Sequence, residues 1–288
     1  MSSPADLVLA VRRSCKDWGL GHLKLTETLD ANETELDVDD WPSGLKEGHF
    51  VEVDLEIVYV KDAGPSLEVR RGEMGTTATT HASGALMVGM PRYTNTQILR
   101  ALNKGLHLIS GQFPREVYLL DDTLLTADDN ESFTLPSPPA GEGEYIDILR
   151  VEMETTTAGL YRTIVAWEQE GRWPPALKLY GSGPSARALR LLVTQAYPAM
   201  AYGDSSVPTG LNDGHEQFLV DYATGTLLEQ DELYAADWIK QDVAVASDTR
   251  GRMQVIGRNI QAAAEVYLRR QFPSTRSIWL GDARNYRS

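Results

Sequence analysis

Cysteine is nearly missing from this chain of 288 residues: Cys15 stands alone. No internal disulfide can form, which fits synthesis in a reducing cytosol. No stretch approaches about 18 uninterrupted apolar residues, so the sequence predicts no membrane-spanning helix. The opening Met1-Ser2-Ser3-Pro4-Ala5-Asp6 has neither the basic nor the apolar region of a secretory leader. Basic residues are scarce as well. There are 27 Lys and Arg against 41 Asp and Glu, a net charge of −14. Non-specific nucleic-acid binding needs Lys and Arg to neutralise phosphates, and this chain is poorly supplied for it. An acidic wall beside passing DNA is a different matter, because repulsion keeps a duplex from sticking.

Several chemical motifs are missing too. No Gly-x-x-x-x-Gly-Lys-Ser/Thr run exists, so there is no P-loop. Gly181-x-Gly183-x-x-Ala186 has the outline of a dinucleotide fingerprint, but Pro184 and a strand-like run follow where a helix is required. His22, His49, His81, His107 and His215 show no metal-ligand spacing, and one cysteine cannot complete a zinc site. Asp37-Val38-Asp39-Asp40 reads as a solvated acidic turn, since Trp41-Pro42 stands where a calcium loop needs its central glycine. No Gly-x-Ser-x-Gly elbow is found. The sequence predicts no cofactor, no metal and no enzyme.

What is there suits a packed protein: 42% hydrophobic and 24% charged residues. An N-terminal helix is expected over 1–21, with Ser2 or Ser3 capping ahead of Pro4. Leu7, Val8, Val11, Cys15 and Trp18 share one face, and Gly19 and Gly21 end it. Short alternating runs over 22–91, including 36–38, 50–53, 57–60 and 67–69, predict a small barrel-like or sandwich-like β module. A central helix over 92–112 begins near Thr94, with Gln97 completing a capping box. Its stripe of Ile98, Leu99, Leu102, Leu106 and Ile109 repeats the offsets of the first helix, which predicts that the two pack on each other.

A second antiparallel β module is expected over 113–200, with strands at 117–120, 144–154, 161–168, 176–180 and 189–193. Residues 181–185 read as a hairpin loop within it. A helical region over 201–273 follows, capped by Asn212 or Asp213, with Phe218, Leu219 and Tyr222 on an apolar face. Met253, Ile256, Ile260, Ala263, Ala264 and Tyr267 form another, and Pro273 stops it. Residues 274–288 are expected to form an extended tail. The fold class is therefore α+β, a helical body carrying two antiparallel β-rich modules.

One segment stands out. Residues 70–84 read Arg-Arg-Gly-Glu-Met-Gly-Thr-Thr-Ala-Thr-Thr-His-Ala-Ser-Gly, between two β-like runs. Gly72, Gly75 and Gly84 permit positive φ, which predicts a decorated β-hairpin loop. In it the His81 ring is expected to hydrogen-bond backbone.

The stretch from Glu56-Ile57-Val58-Tyr59-Val60 through Arg71-Gly72-x-x-Gly75-Thr76-Thr77-Ala78-x-x-His81 to the Asn95 helix resembles a segment of head-to-tail adaptor (neck, or connector) proteins of tailed bacteriophages. The likeness covers residues 50–110 well and the rest only in general layout. In it an acidic residue opens a strand, the Arg71, Gly72, Gly75, Thr76, Thr77 and His81 turn follows, and an Asn-containing helix comes next. The resemblance implies a structural virion protein in the neck, present in the host cytoplasm during assembly. It implies a ring, commonly of twelve copies, between the portal protein and the tail or a second neck protein. It further implies that DNA passes through the lumen without specific binding and that no membrane is involved. A tail-tube, tail-terminator or baseplate component is the near alternative.

The basic C-terminal tail is a candidate interface. Arg269, Arg270, Arg276, Arg284 and Arg287 crowd the end of an acidic chain. Arg276, Arg284 and Arg287 can pair carboxylates, while Trp279 and Tyr286 supply apolar anchors. Loops at 121–131 and 203–214 are further candidates for partner contact. A reading of another class, a glycan-binding module or glycan hydrolase, draws on Trp41, Trp167, Trp173 and Trp279, although such aromatics more often sit in cores and interfaces.

Overall fold

The computed structural model of the chain describes residues 2–17, 21–38, 44–63, 67–125, 132–134, 137–155, 159–164, 166–170, 176–180, 188–238, 255 and 258–266. The fold is α+β, and the described residues form two compact units. One lies within 1–105 and 200–271, the other within 106–199.

Helix α1 (Pro4–Cys15) opens the first unit. Ser3 and Asp6 cap it reciprocally: Ser3 Oγ accepts from Asp6 N at 3.2 Å, and Ser3 N donates to the Asp6 carboxylate at 2.9 Å. The helix stops earlier than Gly19. Lys16 takes φ 53° and donates to Arg13 O, while Asp17 N closes on Arg12 O at 2.9 Å. Gly21 therefore opens a strand instead of ending a helix.

Strands β1 (Gly21–Lys24), β2 (Glu35–Leu36), β3 (Phe50–Val53), β4 (Glu56–Ala63), β5 (Leu67–Arg70) and β6 (Leu86–Gly89) follow. They form one antiparallel sheet in the order β1-β6-β3-β4-β5-β2. The period-2 alternation decides what is inside. Val51 and Val53, Val58 and Val60, Leu67 and Val69, with Met87, all point into one core that Leu25, Leu29 and Leu36 complete. Two expectations change here. The strand predicted at 36–38 is only Glu35–Leu36, with Val38 making an isolated bridge to Leu25. Segment 71–85 is no hairpin loop either, because β3 and β4 separate β5 from β6. It is a crossover, pinned by a bridge between His81 and Leu29.

Helix α2 (Asn95–Gln112) starts where the capping box put it. Thr94 N donates to Gln97 Oε1 at 2.9 Å, and Gln97 N donates to Thr94 Oγ1 at 3.2 Å. Helix α3 (Asp213–Trp238) is capped by Asn212, whose Oδ1 accepts from His215 N at 2.9 Å. Helix α1 packs along α3, and it also meets the first residue of α2, where Arg12 donates to Asn95. Helix α2 reaches α3 through Gly105, where a Cβ would lie 3.1 Å from Leu219 Cδ2 and 3.2 Å from Tyr222 Cδ1. The helical stretch 258–266 contributes Ala264 to the buried set, while Met253, Ile256 and Tyr267 lie outside the described residues.

The second unit holds β7 (Arg115–Leu125), β8 (Ser132–Thr134), β9 (Tyr145–Glu154), β10 (Tyr161–Ile164), β11 (Trp167–Glu170), β12 (Ala176–Leu179) and β13 (Ala188–Gln195). Four of them pair in the order β10-β9-β13-β7, and three in the order β11-β12-β8. Both sheets share one core, with Val151, Leu189, Leu191 and Val193 from the larger and Leu177 from the smaller. The run predicted as one strand over 161–168 is divided between the sheets. Residues 181–185, expected as a hairpin loop, lie outside the described residues; the strands on either side, β12 and β13, belong to different sheets.

Candidate functional site

Five hydrogen-bond contacts from the crossover segment converge on the carboxylate of Glu56, the first residue of β4. Arg71 grips its carboxylate with two parallel bonds, Nε to Oε1 at 2.7 Å and Nη2 to Oε2 at 2.7 Å. Gly72 N adds a third at 2.9 Å, and Thr79 N a fourth at 3.1 Å. The His81 ring supplies a fifth contact, Nε2 to Oε2 at 2.9 Å. Arg71 also ties down the chain around it, donating to the carbonyls of Asp30, Glu33 and Thr79. Glu56 and His81 are almost fully sealed from solvent, at 1% and 2% side-chain exposure.

Both ring nitrogens of His81 face carboxylates, because Nδ1 lies 2.7 Å from Asp54 Oδ2. A neutral imidazole has one donor, so the geometry calls for the doubly protonated ring. Burial opposes that charge, yet the hydrogen bonds to Asp54 and Glu56 outweigh it and raise the ring to about 9. Burial likewise works against the Glu56 carboxylate. Arg71, His81 and the two backbone N–H groups overcome it and hold the group down to about 2. Two cations thus meet two carboxylates.

A second cluster lies next to the first, at the junction of α1, β3 and α2. Arg12 is completely buried. Its Nη1 donates to Asp17 at 2.9 Å, its Nε and Nη2 to Asn95 Oδ1 at 3.0 and 2.7 Å, and its Nη2 also closes on Glu52. Asp17 accepts from Arg92 N and Tyr93 N, which fixes the approach to α2. Glu52 accepts from Asn95 N at 2.6 Å. Here two carboxylates share one guanidinium. Burial pushes Glu52 up to about 7 against the pull of Arg12, and Asp17 adds to the push. Asn95 Nδ2 donates to Asp54 O, which joins the two clusters. One continuous chain of polar contacts therefore runs from Arg71 to Asp17, binding the crossover, the β3–β4 turn and both helices.

Of the turn residues singled out in the sequence, Arg71, Gly72 and His81 meet at Glu56. Thr76 fastens the same loop to β4, its Oγ1 accepting from Ile57 N at 3.0 Å and donating to Glu73 O at 2.8 Å. Gly72, Gly75 and Gly84 take φ of 66°, 80° and 84°, as their positions required. The His81 ring does not bond backbone: it is clamped by carboxylates, and its main-chain N–H and C=O pair with Leu29. Gly75 and Thr77 line an open groove beside this network instead.

Arg276, Trp279, Arg284, Tyr286 and Arg287 lie outside the described residues, as do Arg269, Arg270, Trp41 and residues 126–131. The loop 203–214 is partly anchored, with Val207 buried and its N–H donating to Ser2 O at 2.9 Å. In the second unit, Arg190 lies 4.7 Å from the Tyr118 ring centre and 4.3 Å from that of Tyr161, and its Nε donates to Glu152 at 2.7 Å.

Sequence reasoning missed Arg12, Asp17, Glu52 and Asp54. A signal existed for two of them: Arg12 stands four positions after Val8 on the apolar stripe, and Glu52 interrupts Val51 and Val53. Among the described residues no group of three or more His, Cys, Asp or Glu side chains could hold a metal ion. No described helix is long and apolar enough to cross a membrane. The chain matches no family model, no curated protein and no solved structure.

Proposed function

We propose that the chain is a structural virion protein, a head-to-tail adaptor forming a ring between the portal and the tail of a phage. Its work in this reading is geometric: joining two ring surfaces and extending an electronegative channel through which DNA passes. The observation that carries the reading is the fate of the segment whose sequence resembles such adaptors. Arg71, His81 and Glu56 are consumed by one another inside the first unit, which suits a framework better than a reaction centre. Buried, fully bonded ion networks specify a unique arrangement of elements, a property required of a part that must fit its neighbours in a ring. The net charge of −14 adds support, since it favours free passage of DNA over adhesion.

In a closed ring each copy presents one face to a different face of the next. The acidic body and the basic aromatic tail are assigned to such complementary contacts. Deleting residues 274–288 should weaken incorporation into particles or onto portal rings. Quantitative gels of purified particles made with full-length and truncated chains read this directly, and unchanged incorporation would remove the tail from the account.

A further inference from the structure

The buried network holds up an exposed structure. Two turns flank it in the left-handed region, which non-glycine residues rarely enter: Asp54 at φ 51° and Met74 at φ 53°. Asp54 is fixed by His81 and Asn95. The loop carrying Met74 is fixed by Arg71, Gly72 and Thr76. These constrained turns project two apolar side chains into solvent, with Leu55 39% and Met74 72% exposed. Both belong to the rim of one groove of about 550 Å³, bordered by the hairpin tip, the loop 74–79 and the first turns of α2.

The groove's polar groups divide into engaged and unengaged ones. Glu56, Thr76, Thr79, Thr94 and Gln97 are bonded within the fold. Thr77, Thr96 and Arg100 also line it, and their side chains bond to no described residue. Its walls thus offer two hydroxyls and one exposed guanidinium, and no unpaired carboxylate. Rigid apolar anchors beside a few open polar groups are the makings of a protein-binding surface.

We infer that this groove receives an acidic, apolar segment of a second copy of this chain, with a carboxylate on Arg100 and an apolar side chain between Leu55 and Met74. Charge selects the occupant. The chain has 14 more acidic than basic residues, so its own surface complements a groove whose free charge is positive. The groove is also unlike the acidic surface it would meet, as a heterologous ring contact demands. This inference rests on the ring reading above, and the test separates the two.

A photo-crosslinking amino acid placed at position 74 of the full chain captures whatever occupies the groove. It is introduced into the chain alone, and into the chain co-produced with the structural proteins encoded beside it. The expected product migrates at twice the 31.9 kDa of the chain and contains its peptides only. Introducing Arg100→Glu should reduce that product at least tenfold. Arg100 and Met74 are exposed, and unchanged melting temperatures would verify that both altered chains fold. Crosslinks to a different protein, no crosslink, or full crosslinking with Arg100→Glu would each overturn the inference. The ring is scored separately, by imaging assemblies of the unaltered chain. A ring that forms without crosslinking at position 74 rejects the groove contact alone, whereas absence of any ring rejects the reading beneath it.

Discussion

Replacing Glu56 by glutamine tests the network at its centre. The change keeps shape and removes one charge. It places an amide NH2 where one oxygen now accepts from donors, among them Arg71 and either a backbone N–H or His81. Arg71, with a side chain only 6% exposed, is left without its carboxylate. Breaking a buried ion pair from one side costs about 3–5 kcal/mol, because the surviving charge stays desolvated. For a chain of this size each kcal/mol lowers the melting temperature by about 2–4 °C. Glu56→Gln should therefore melt roughly 10 °C below the parent in thermal denaturation followed by circular dichroism. Hydrogen exchange should place the loss in the first unit. In a double-mutant cycle, Glu56→Leu with Arg71→Met should cost clearly less than the sum of the single changes, with a coupling above about 1 kcal/mol. A single-variant cost below about 1 kcal/mol, or additive costs, would refute the claim that these residues lock the unit.

Stability should also depend on pH in a specific way. His81 is raised to about 9, so its contribution is complete below the ordinary value of 6.5 and lost as pH rises through about 9. The raised Glu52 carboxyl has the same sign between 4.5 and about 7, whereas the depressed Glu56 weakens the fold as pH falls from 4.5 towards about 2. Melting temperatures should peak near pH 4.5 and decline towards pH 9, by an amount of order 2–3 kcal/mol for His81. His81→Gln should flatten the alkaline limb, and a limb unchanged by that variant contradicts the assignment. Arg12→Met leaves Asp17 and Glu52 buried without their cation and should cost about 3–5 kcal/mol by urea denaturation. Gly105→Val should cost about 1–3 kcal/mol, because its side chain meets Leu219 and Tyr222.

How legible this was from the sequence differs from element to element. Alternation at Val51, Val53, Val58 and Val60 placed the first β module, and the Thr94–Gln97 box placed the start of α2, since both signals are local. The partner of α1 was not local. A stripe of Leu7, Val8 and Val11 says which face is apolar, and nothing in its spacing chooses α3 over α2. The run 161–168 kept one texture across a change of sheet, so the break between β10 and β11 left no mark in the pattern. The network was half visible: Arg12 and Glu52 are charges in apolar company. Their pairing spans 40 positions, and Arg12 meets Asn95 across 83, distances at which a single sequence carries no register. His81 looked like a loop histidine because Asp54 and Glu56 reach it only through the fold.

The proposed role is tested most directly by locating the chain in a particle. Purified virions decorated with an antibody to this chain, imaged in negative stain, should carry label at one vertex only, between head and tail, in an amount consistent with a ring of about twelve copies. Label distributed along the tail or over the capsid, or virions that lack the chain altogether, would contradict the adaptor reading.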